Sequence, residues 1–444
     1  MPDFAKALKR LRDRDRQPYL TGLSPVAAFS LSEQLQFLKP LPSNRTTTNV
    51  PVFQEGLPAG ESESTSFGSH YVVRKSFADD YYHGKVRLSR FCSGELQQLM
   101  KLMKQRAEVG ERDRIVFLDT ETTGVHGGTG ICPFLVGVGH FSGSDFKMIQ
   151  YFIRDFDEEP SMLLALGEFL TNFDLVVTYN GATFDVPLLE TRFTLARLDN
   201  PFERLGHFDL LNTARRLWRN GHGSCRLIAM ERLMSFMRGP DVPGAAIPRV
   251  YFDFLQHRPT PQLAAIFTHN TYDVVSLAAL TLHACDCVGV AAPAALDDPL
   301  DLYSLARVLE NSANWRRSIS LYEMALGGGL PEPTRTKALE NLSVIYRRIG
   351  DNQRSFEICE ELMRSDVFSL LAYEGAAIHH ERIESDVEAA LQVIEVGLKR
   401  LDGFPHVGLA DAESGSLKRW RALLRSRWER LQQKVIGFPA SEIA

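Results

Sequence analysis

The sequence has few cysteines, and their arrangement does not suit a zinc site. Its six cysteines are scattered over 444 residues, and only Cys285 and Cys287 lie close together. A structural zinc site needs a second such pair, which is absent. We therefore expect ordinary buried thiols in a reducing compartment.

Long apolar runs are also missing. The first twenty residues, MPDFAKALKRLRDRDRQPYL, carry charges where a signal peptide would need an apolar stretch. No other segment reaches the length that spans a bilayer. The sequence therefore predicts a cytoplasmic protein that does not insert into a membrane.

The chain has no excess of positive charge. Its net charge is −5, which argues against a protein that coats nucleic acid by bulk electrostatics. An enzyme is not excluded, because a carboxylate-rich metal centre itself contributes negative charge. With 44% apolar and 24% charged residues, the composition is that of a globular protein, and the length favours two domains plus tails.

The patterning predicts a polar N-terminal segment and then an α/β domain. Residues 1–65 include a Ser/Thr/Asn/Gly/Glu-rich stretch without hydrophobic periodicity, which predicts a flexible tail. Between residues 66 and 288, strands in a meander precede alternating strands and helices. This order is typical of a mixed sheet flanked by helices.

The C-terminal part is all helical in pattern. An Ala/Pro/Asp-rich linker at 289–299 precedes residues 300–435, in which two helical segments align at an offset of 37 residues, with Ser318 and Ser355 at small-residue positions. The offset is close to the 34-residue period of tetratricopeptide (TPR) repeats, which predicts a degenerate TPR-like domain. An unrelated helical bundle is the alternative.

Two carboxylates follow a buried strand. Asp119 and Glu121 come directly after the apolar run IVFL, and side chains two apart on a strand face the same side. Most Asp-x-Glu pairs are solvated surface acids. Here an unpaired pair would be costly in a poorly hydrated site, so a cation is expected, and hard oxygen ligands suit Mg²⁺ or Mn²⁺.

Two further segments carry an acid in a defined place. In TYNGATFDVPLLE, Asp185 begins a helix, and its alternative role is that of an N-cap. In THNTYDVVSLAAL, His269 and Asp273 are four residues apart and share one helix face. Taken alone, such a pair is usually a surface feature.

Together these motifs resemble the DEDD exonuclease superfamily, and within it the bacterial YprB-like, RNase H-like family. The order is Asp-x-Glu, then Asn-x₃-Phe-Asp, then His with Asp four residues later, and the resemblance covers roughly residues 70–285. The combination is specific, whereas each motif alone is common. The stretches HFDLL and GPDVPGAAIPRVYFDFL, between the second and third motifs, also match that family.

The resemblance implies that the protein hydrolyses phosphodiester bonds by a two-metal mechanism. Asp119 would bridge two Mg²⁺ or Mn²⁺ ions, and Glu121, Asp185 and Asp273 would complete the shells around them. The substrate would be single-stranded nucleic acid or a duplex end, degraded 3′→5′ as is usual in the superfamily.

The general base is the point at which the sequence departs from the family. These enzymes have Tyr four residues, or His five residues, before the last Asp; this chain has His269 four before it and Tyr272 immediately before it. Helical geometry places His269 on the face of Asp273, so His269 is the preferred base and Tyr272 the alternative.

Several other residues are assigned supporting roles. The resemblance implies that Thr122, Asn180 and Phe184 contact substrate. Asp209 is either an outer-shell acid or the cap of a helix. Basic residues near the motifs could hold phosphates or could form solvated helix faces, and these are Arg192, Arg197, Arg215, Arg216, Arg219 and Arg226.

Two functions from different classes follow. The first is a metal-dependent nuclease, with TPR-like repeats that bind a protein partner on their concave surface. The second is an interaction protein with an inactive nuclease fold. The presence of all four acids favours the first, and an endonuclease or an oligoribonuclease-like enzyme of the same fold stays open.

Overall fold

The computed structural model describes residues 56–105, 107–124, 130–289, 296, 298–403 and 411–436, with side chains from residue 415 in the last range. Most of the predicted N-terminal tail and most of the predicted linker at 289–299 lie outside the described residues. Described helices include none that is long and apolar enough to cross a membrane.

A seven-stranded mixed sheet forms the centre of the first domain, in the order β1-β2-β7-β6-β5-β8-β9. Strands β5, β6 and β7 are an antiparallel meander, and β8 and β9 run parallel to β5. The nine strands, of which β3 and β4 form a separate pair, are β1 (Glu61–Thr65), β2 (Gly68–Phe77), β3 (Tyr82–His83), β4 (Val86–Arg87), β5 (Ile115–Thr122), β6 (Pro133–Ser142), β7 (Asp145–Phe152), β8 (Leu175–Thr178) and β9 (Gly206–Asp209).

The prediction of a flexible tail up to residue 65 is wrong at its C-terminal end. Residues Glu61–Thr65 form the edge strand β1, antiparallel to β2. Their sequence, ESEST, is polar throughout because a sheet edge is exposed, so hydrophobic periodicity could not reveal it. Thr65 Oγ1 donates to Ser161 Oγ at 2.9 Å, which ties this strand to the neighbouring helix.

Among its described residues, the α/β domain has eight α-helices beside the sheet, as the α/β prediction required. Strands β5 and β8 are buried on both faces, in keeping with their continuous apolar runs IVFL and LVVT. The helices are α1 (Ser93–Leu102), α2 (Glu159–Leu170), α3 (Asp185–Ala196), α4 (Leu210–Leu217), α5 (Arg219–His222), α6 (Leu227–Leu233), α7 (Ile247–Leu255) and α8 (Leu263–Val288).

The long helix α8 lies very close to strand β6. A Cβ added to Gly137 would be 2.1 Å from Asn270 Oδ1, and one added to Gly139 would be 2.7 Å from Val274 Cγ1. Asn270 and Val274 are one helical turn apart on the face that meets the sheet. The two glycines therefore let α8 pack directly on the backbone of β6, beside the end of β5.

The described part of the domain that follows is helical, and consecutive helices pack against one another. The helices are α9 (Pro299–Glu310), α10 (Trp315–Gly327), α11 (Thr334–Arg348), α12 (Asn352–Arg364), α13 (Leu370–Arg382), α14 (Val387–Asp402) and α15 (Asp411–Ile436). The same hydrogen bond recurs at the predicted offset of 37 residues. Ser318 Oγ donates to the carbonyl of Ala306 at 2.9 Å, and Ser355 Oγ donates to that of Ser343 at 2.8 Å. The small serine lets the paired helices approach closely.

The two domains share a continuous hydrophobic core. Trp218 after α4, Val288 at the end of α8 and Tyr303 in α9 belong to one cluster of buried side chains. Helix α9 is also joined to α5 by polar contacts, because Asn220 Nδ2 donates to Ser304 Oγ at 2.9 Å. The predicted architecture, an α/β domain with a mixed sheet followed by a helical domain, is confirmed.

Candidate active site

Asp119 and Glu121 extend from the end of strand β5 towards helix α8. Ile115 and Phe117, which precede them at strand spacing, belong to the core that α8 covers, so all four side chains face the same side of the sheet. Asn270 on α8 donates to Asp119 Oδ2 at 2.9 Å. The strand geometry expected for the Asp-x-Glu pair is therefore present.

Asp185 lies on the other side of Asp119 and does not act as a helix cap. Phe184 occupies the N-cap position of α3 without a capping side chain, and Asp185 is the first helical residue. Its carboxylate accepts a hydrogen bond of 2.6 Å from Thr120 Oγ1. The fold thus directs this carboxylate back to strand β5 instead of to the helix terminus.

His269 and Asp273 project from one face of α8 towards Glu121. His269 Nε2 is 3.4 Å from Asp273 Oδ2 and 3.9 Å from Glu121 Oε1. These three side chains offer ligand atoms that all lie within 4.8 Å of one another. His269 Nδ1 is 2.8 Å from Asp241 Oδ1, which fixes the ring and directs Nε2 to the acids.

The four carboxyls are close enough to disturb one another's titration. Burial raises the pKa of Asp119 well above its ordinary value, and the negative charges of Asp273, Glu121 and Asp185 raise it further. Burial and the charges of Asp273 and Asp185 likewise raise the pKa of Glu121. Burial raises the pKa of Asp185 to about 6. A site that holds this much negative charge attracts a cation.

The structure adds a buried arginine, Arg238, that the sequence did not single out. Its Nη2 donates to Glu231 Oε1 at 2.6 Å and also bonds Asp273, and its Nη1 bonds Asp241 Oδ2 at 3.1 Å. Burial raises the pKa of Asp273, and the positive charges of Arg238 and His269 partly offset this effect. Arginine is common and follows no periodic pattern here, so only the fold could place it.

Asn270 was also missed, although its spacing offered a signal. It lies three residues before Asp273 and so shares that helix face. Its amide is fully buried, donates to Asp119 and accepts from Gln150 Nε2 at 2.9 Å. The chain of contacts from Gln150 through Asn270 orients the carboxylate of Asp119.

Tyr272, the alternative general base, lies on another face of α8. Its ring is 5.5 Å from that of Phe236, and the guanidinium of Arg238 lies over it at 5.7 Å. Its hydroxyl lies near Gly239. The geometry therefore favours His269 over Tyr272 for a role among the acids, as the helical spacing predicted.

Asp209 holds the turn that carries Asn180. Its Oδ1 accepts hydrogen bonds from the backbone N–H groups of Asn180 at 2.8 Å and Leu211 at 3.0 Å, and its Oδ2 accepts from that of Ala182 at 3.2 Å. It is thus the N-cap of α4 and the support of a turn in which Asn180 has a φ of +64°. The structure thus shows the helix-cap alternative, and an outer-shell role of Asp209 stays a prediction.

The two other predicted substrate contacts differ in their surroundings. Phe184 is 51% exposed, an unusual position for a large aromatic side chain and one suited to stacking on a base. Thr122 Oγ1 donates to the carbonyl of Gly124 at 2.7 Å and thereby orders the turn after β5. Substrate contact by either residue stays a prediction.

The donor set is suited to hard divalent cations. Carboxylate oxygens of Glu121 on β5 and Asp273 on α8 converge with an imidazole nitrogen of His269. Burial raises the pKa of Asp119 and Glu121, and the negative charge of Asp185 acts on the same site and raises both further. Carboxylate oxygens are the ligands that Mg²⁺ and Mn²⁺ prefer. The residues present therefore fit a metal centre.

Two parts of the chain match known families. Residues 116–285 match the RNase H superfamily, and this range contains all four acids. The chain accordingly contains an RNase H superfamily domain. Residues 302–335, which cover α9, α10 and the start of α11, match the tetratricopeptide repeat, so the TPR-like prediction is confirmed over the bundle alternative.

A curated relative is similar to this chain over most of its length. The chain is 29% identical to the uncharacterized protein YprB of Bacillus subtilis (strain 168) over 365 residues, which cover 79% of this chain and 86% of that protein. The predicted resemblance to a YprB-like RNase H-like domain with a TPR-like region is therefore confirmed.

Proposed function

We propose that the protein is a metal-dependent nuclease that hydrolyses phosphodiester bonds of DNA or RNA. The observation that carries the proposal is the cluster of Glu121, His269 and Asp273, whose ligand atoms lie within 4.8 Å of one another, together with the charges of Asp119 and Asp185 that act on it. A purely structural role would not retain mutually repelling acids whose pKa values the protein itself raises.

The chain's residues would divide the work as follows. Asp119, Glu121, Asp185 and Asp273 would hold two Mg²⁺ or Mn²⁺ ions, which supply charge stabilisation for an in-line displacement at phosphorus. His269 would accept the proton of the attacking water at Nε2, because Asp241 orients the ring through Nδ1. Asn270 would keep Asp119 in place through its 2.9 Å hydrogen bond.

We further propose exonucleolytic cleavage in the 3′→5′ direction, the usual mode of the DEDD enzymes that the motifs resemble. The helical domain would bind a protein partner, as TPR arrays do. Both statements rest on resemblance, and the first is open to direct test with defined substrates.

The assay compares linear and circular single strands. Purified protein is incubated with 5′-labelled linear DNA or RNA, or with circular DNA, in Mn²⁺, Mg²⁺ or EDTA. A metal-dependent ladder of shortened linear strands, with intact circles, supports a 3′→5′ exonuclease. Nicked circles would contradict the exonuclease mode, and no cleavage with any metal would favour the inactive interaction protein.

Metal binding has an expected signature in stability that does not depend on activity. Mn²⁺ should raise the Tm more at about pH 8 than at about pH 5.5, because carboxyls with raised pKa values, such as Asp185 at about 6, keep protons that a metal must displace at the lower pH. The measurement is thermal unfolding with and without Mn²⁺ at both pH values.

A matched control for this measurement is Asp301→Asn. Burial raises the pKa of Asp301 to about 6 as well, but its carboxylate pairs with His222 in a different part of the fold. The Asp301→Asn protein should keep the full metal response, whereas Asp185→Asn should lose most of it. An equal Mn²⁺ shift in both variants would contradict a metal site at the four acids.

The role of His269 is tested by the pH dependence of the rate. His269→Ala should lower kcat by about 10²-fold or more and flatten its dependence between about pH 6 and pH 9, because the proton acceptor is removed. Tyr272→Phe should leave the profile as it is. A rate unchanged in His269→Ala over that range would remove His269 as the general base.

A further inference from the structure

A positively charged cavity lies where the α/β domain meets the first helix of the helical domain. It has a volume of about 550 Å³ and is formed by the end of α1, by α4 and α5, and by α9. Five of its lining residues are cations, namely Lys104, Arg215, Arg216, Arg219 and Arg307. No aspartate or glutamate lines it, although the whole chain has a net charge of −5.

The cations in this basic cavity are not neutralised by neighbouring acids. Within the described parts of the chain, none of the five forms an ion pair. Arg216 donates to the carbonyl of Met103 at 2.8 Å, and Arg307 lies against the ring of Tyr303. Like charges gathered without counter-charges repel one another, so an anionic ligand would be stabilised here.

The walls of the cavity are held by fixed contacts. Asn220 Nδ2 donates to Ser304 Oγ at 2.9 Å, and His222 Nε2 is 2.9 Å from Asp301 Oδ2, so α5 is anchored to α9. The shared hydrophobic core lies beneath these contacts. The helices that form the cavity are thus held in place, and the five cationic side chains that line it are exposed to solvent.

Helix α4 connects the cavity to the candidate active site. The helix begins at Asp209, which holds the Asn180 turn, and Arg215 lies six residues further on. Six residues of α-helix span about 9 Å, and adjacent phosphates on one DNA strand are separated by about 3.4 Å along the axis. A strand that passes the Asn180 turn and follows α4 would reach Arg215 within about three nucleotides.

The residue before Asn180 also responds to this positive charge. Burial raises the pKa of Tyr179, and the charge of Arg215 partly offsets that effect. Tyr179 donates to the carbonyl of Cys225 at 2.6 Å and so stays fixed between the turn and the cavity. The positive charge of Arg215 therefore acts at the residue next to the Asn180 turn.

We propose that the basic cavity binds the phosphodiester backbone of a nucleic-acid strand beyond the cleavage centre. An arginine guanidinium can form two parallel hydrogen bonds to phosphate oxygens, and four of the five cations are arginines. The 550 Å³ volume exceeds what a single phosphate needs and lies within the range of ligand pockets. The inference rests on the proposed nuclease function, since the strand is that enzyme's substrate.

The test measures binding without cleavage. The full chain carrying Asp119→Asn is titrated against fluorescent single-stranded DNA and RNA, and anisotropy is recorded at several salt concentrations. In this background, Arg215→Gln/Arg219→Gln/Arg307→Gln should weaken binding about tenfold or more and reduce the slope of log K against log salt by about 2, because three phosphate contacts are lost.

The matched control removes the same charge elsewhere. Lys337, Arg364 and Arg425 are exposed and lie outside the cavity, and their joint replacement by Gln should leave the affinity nearly unchanged. Replacement of the three cavity arginines by Lys keeps the charge and should retain most of the salt slope. Thermal unfolding of each variant distinguishes lost binding from lost folding.

The outcomes separate this inference from the proposed function. If the Asp119→Asn protein binds neither DNA nor RNA, the nuclease proposal fails and the cavity proposal with it. If it binds strands but the cavity variant binds as well as the control, only the cavity proposal fails. If the cavity binds a mononucleotide or an acidic peptide in preference to a nucleic-acid strand, the cavity proposal is likewise overturned.

Discussion

Replacement of Asp119 by Asn is expected to lower the nuclease rate by about 10³-fold or more, which corresponds to about 4 kcal/mol of transition-state stabilisation. The negative charges of the other three acids act on Asp119, and the proposed function assigns it the bridging position between two metal ions. The substitution keeps the shape of the side chain and its hydrogen bond from Asn270 Nδ2. Initial rates with Mn²⁺ on the linear substrate give the measurement.

The same substitution should stabilise the metal-free protein. The folded state raises the pKa of Asp119. Ionisation of this buried carboxyl therefore destabilises the fold as the pH rises above the ordinary pKa of an aspartate. In EDTA, Asp119→Asn should therefore have a higher Tm than the unmodified chain, by more at about pH 8 than at about pH 5. Asp199→Asn, at an exposed position, is the control and should change neither rate nor Tm.

A fall in both activity and stability would point instead to a damaged fold. Loss of activity with a gain in Tm would indicate that the buried carboxylates destabilise the fold by mutual repulsion and are needed for activity. Retention of full activity in Asp119→Asn would contradict the proposed centre altogether.

Replacement of Arg238 by Met is expected to destabilise the protein by about 3–5 kcal/mol, the usual penalty for leaving buried charges without a partner. Only 7% of the Arg238 side chain and 2% of the Glu231 side chain are exposed. The guanidinium bonds Glu231, Asp241 and Asp273, and Ser276 Oγ donates to Glu231 at 2.6 Å. Removal of the arginine leaves these acids facing one another.

Arg249→Met provides the comparison. Arg249 pairs with Asp253 at 3.9 Å, but 79% of its side chain is exposed, so its removal should cost about 1 kcal/mol or less. The free energy of unfolding is measured by urea titration in EDTA for both variants. Adding Glu231→Gln to Arg238→Met should recover part of the loss, and a simple sum of the two effects would contradict the coupling.

The sequence predicted the fold and the acids because both leave local patterns. Continuous apolar runs identified β5 and β8, and the Asp-x-Glu spacing placed Asp119 and Glu121 on one face. Period and composition likewise predicted the TPR-like helices, and the repeated bonds of Ser318 and Ser355 explain why serine serves at the small-residue positions. Each of these features depends on residues near one another in the chain.

The edge strand β1 and the contacts of Asp185 were beyond such patterns. The strand ESEST is polar because one side of it faces solvent, and its partner β2 supplies the hydrogen bonds that define it. The sequence around Asp185 is also that of a helix cap, yet in the structure its carboxylate accepts a hydrogen bond from Thr120 at 2.6 Å. Both outcomes depend on which element lies alongside.

The sequence by itself determined which groups are candidates for the site, namely four carboxylates and a histidine, and which helices and strands carry them. The tertiary structure decided how those groups are compensated. Gly137 lets α8 approach the sheet so that Asn270 reaches Asp119. Arg238 bonds both Asp273 and Glu231, which are 42 residues apart in the sequence. Electrostatic balance in a buried site is set by distance in space, and sequence spacing does not report it.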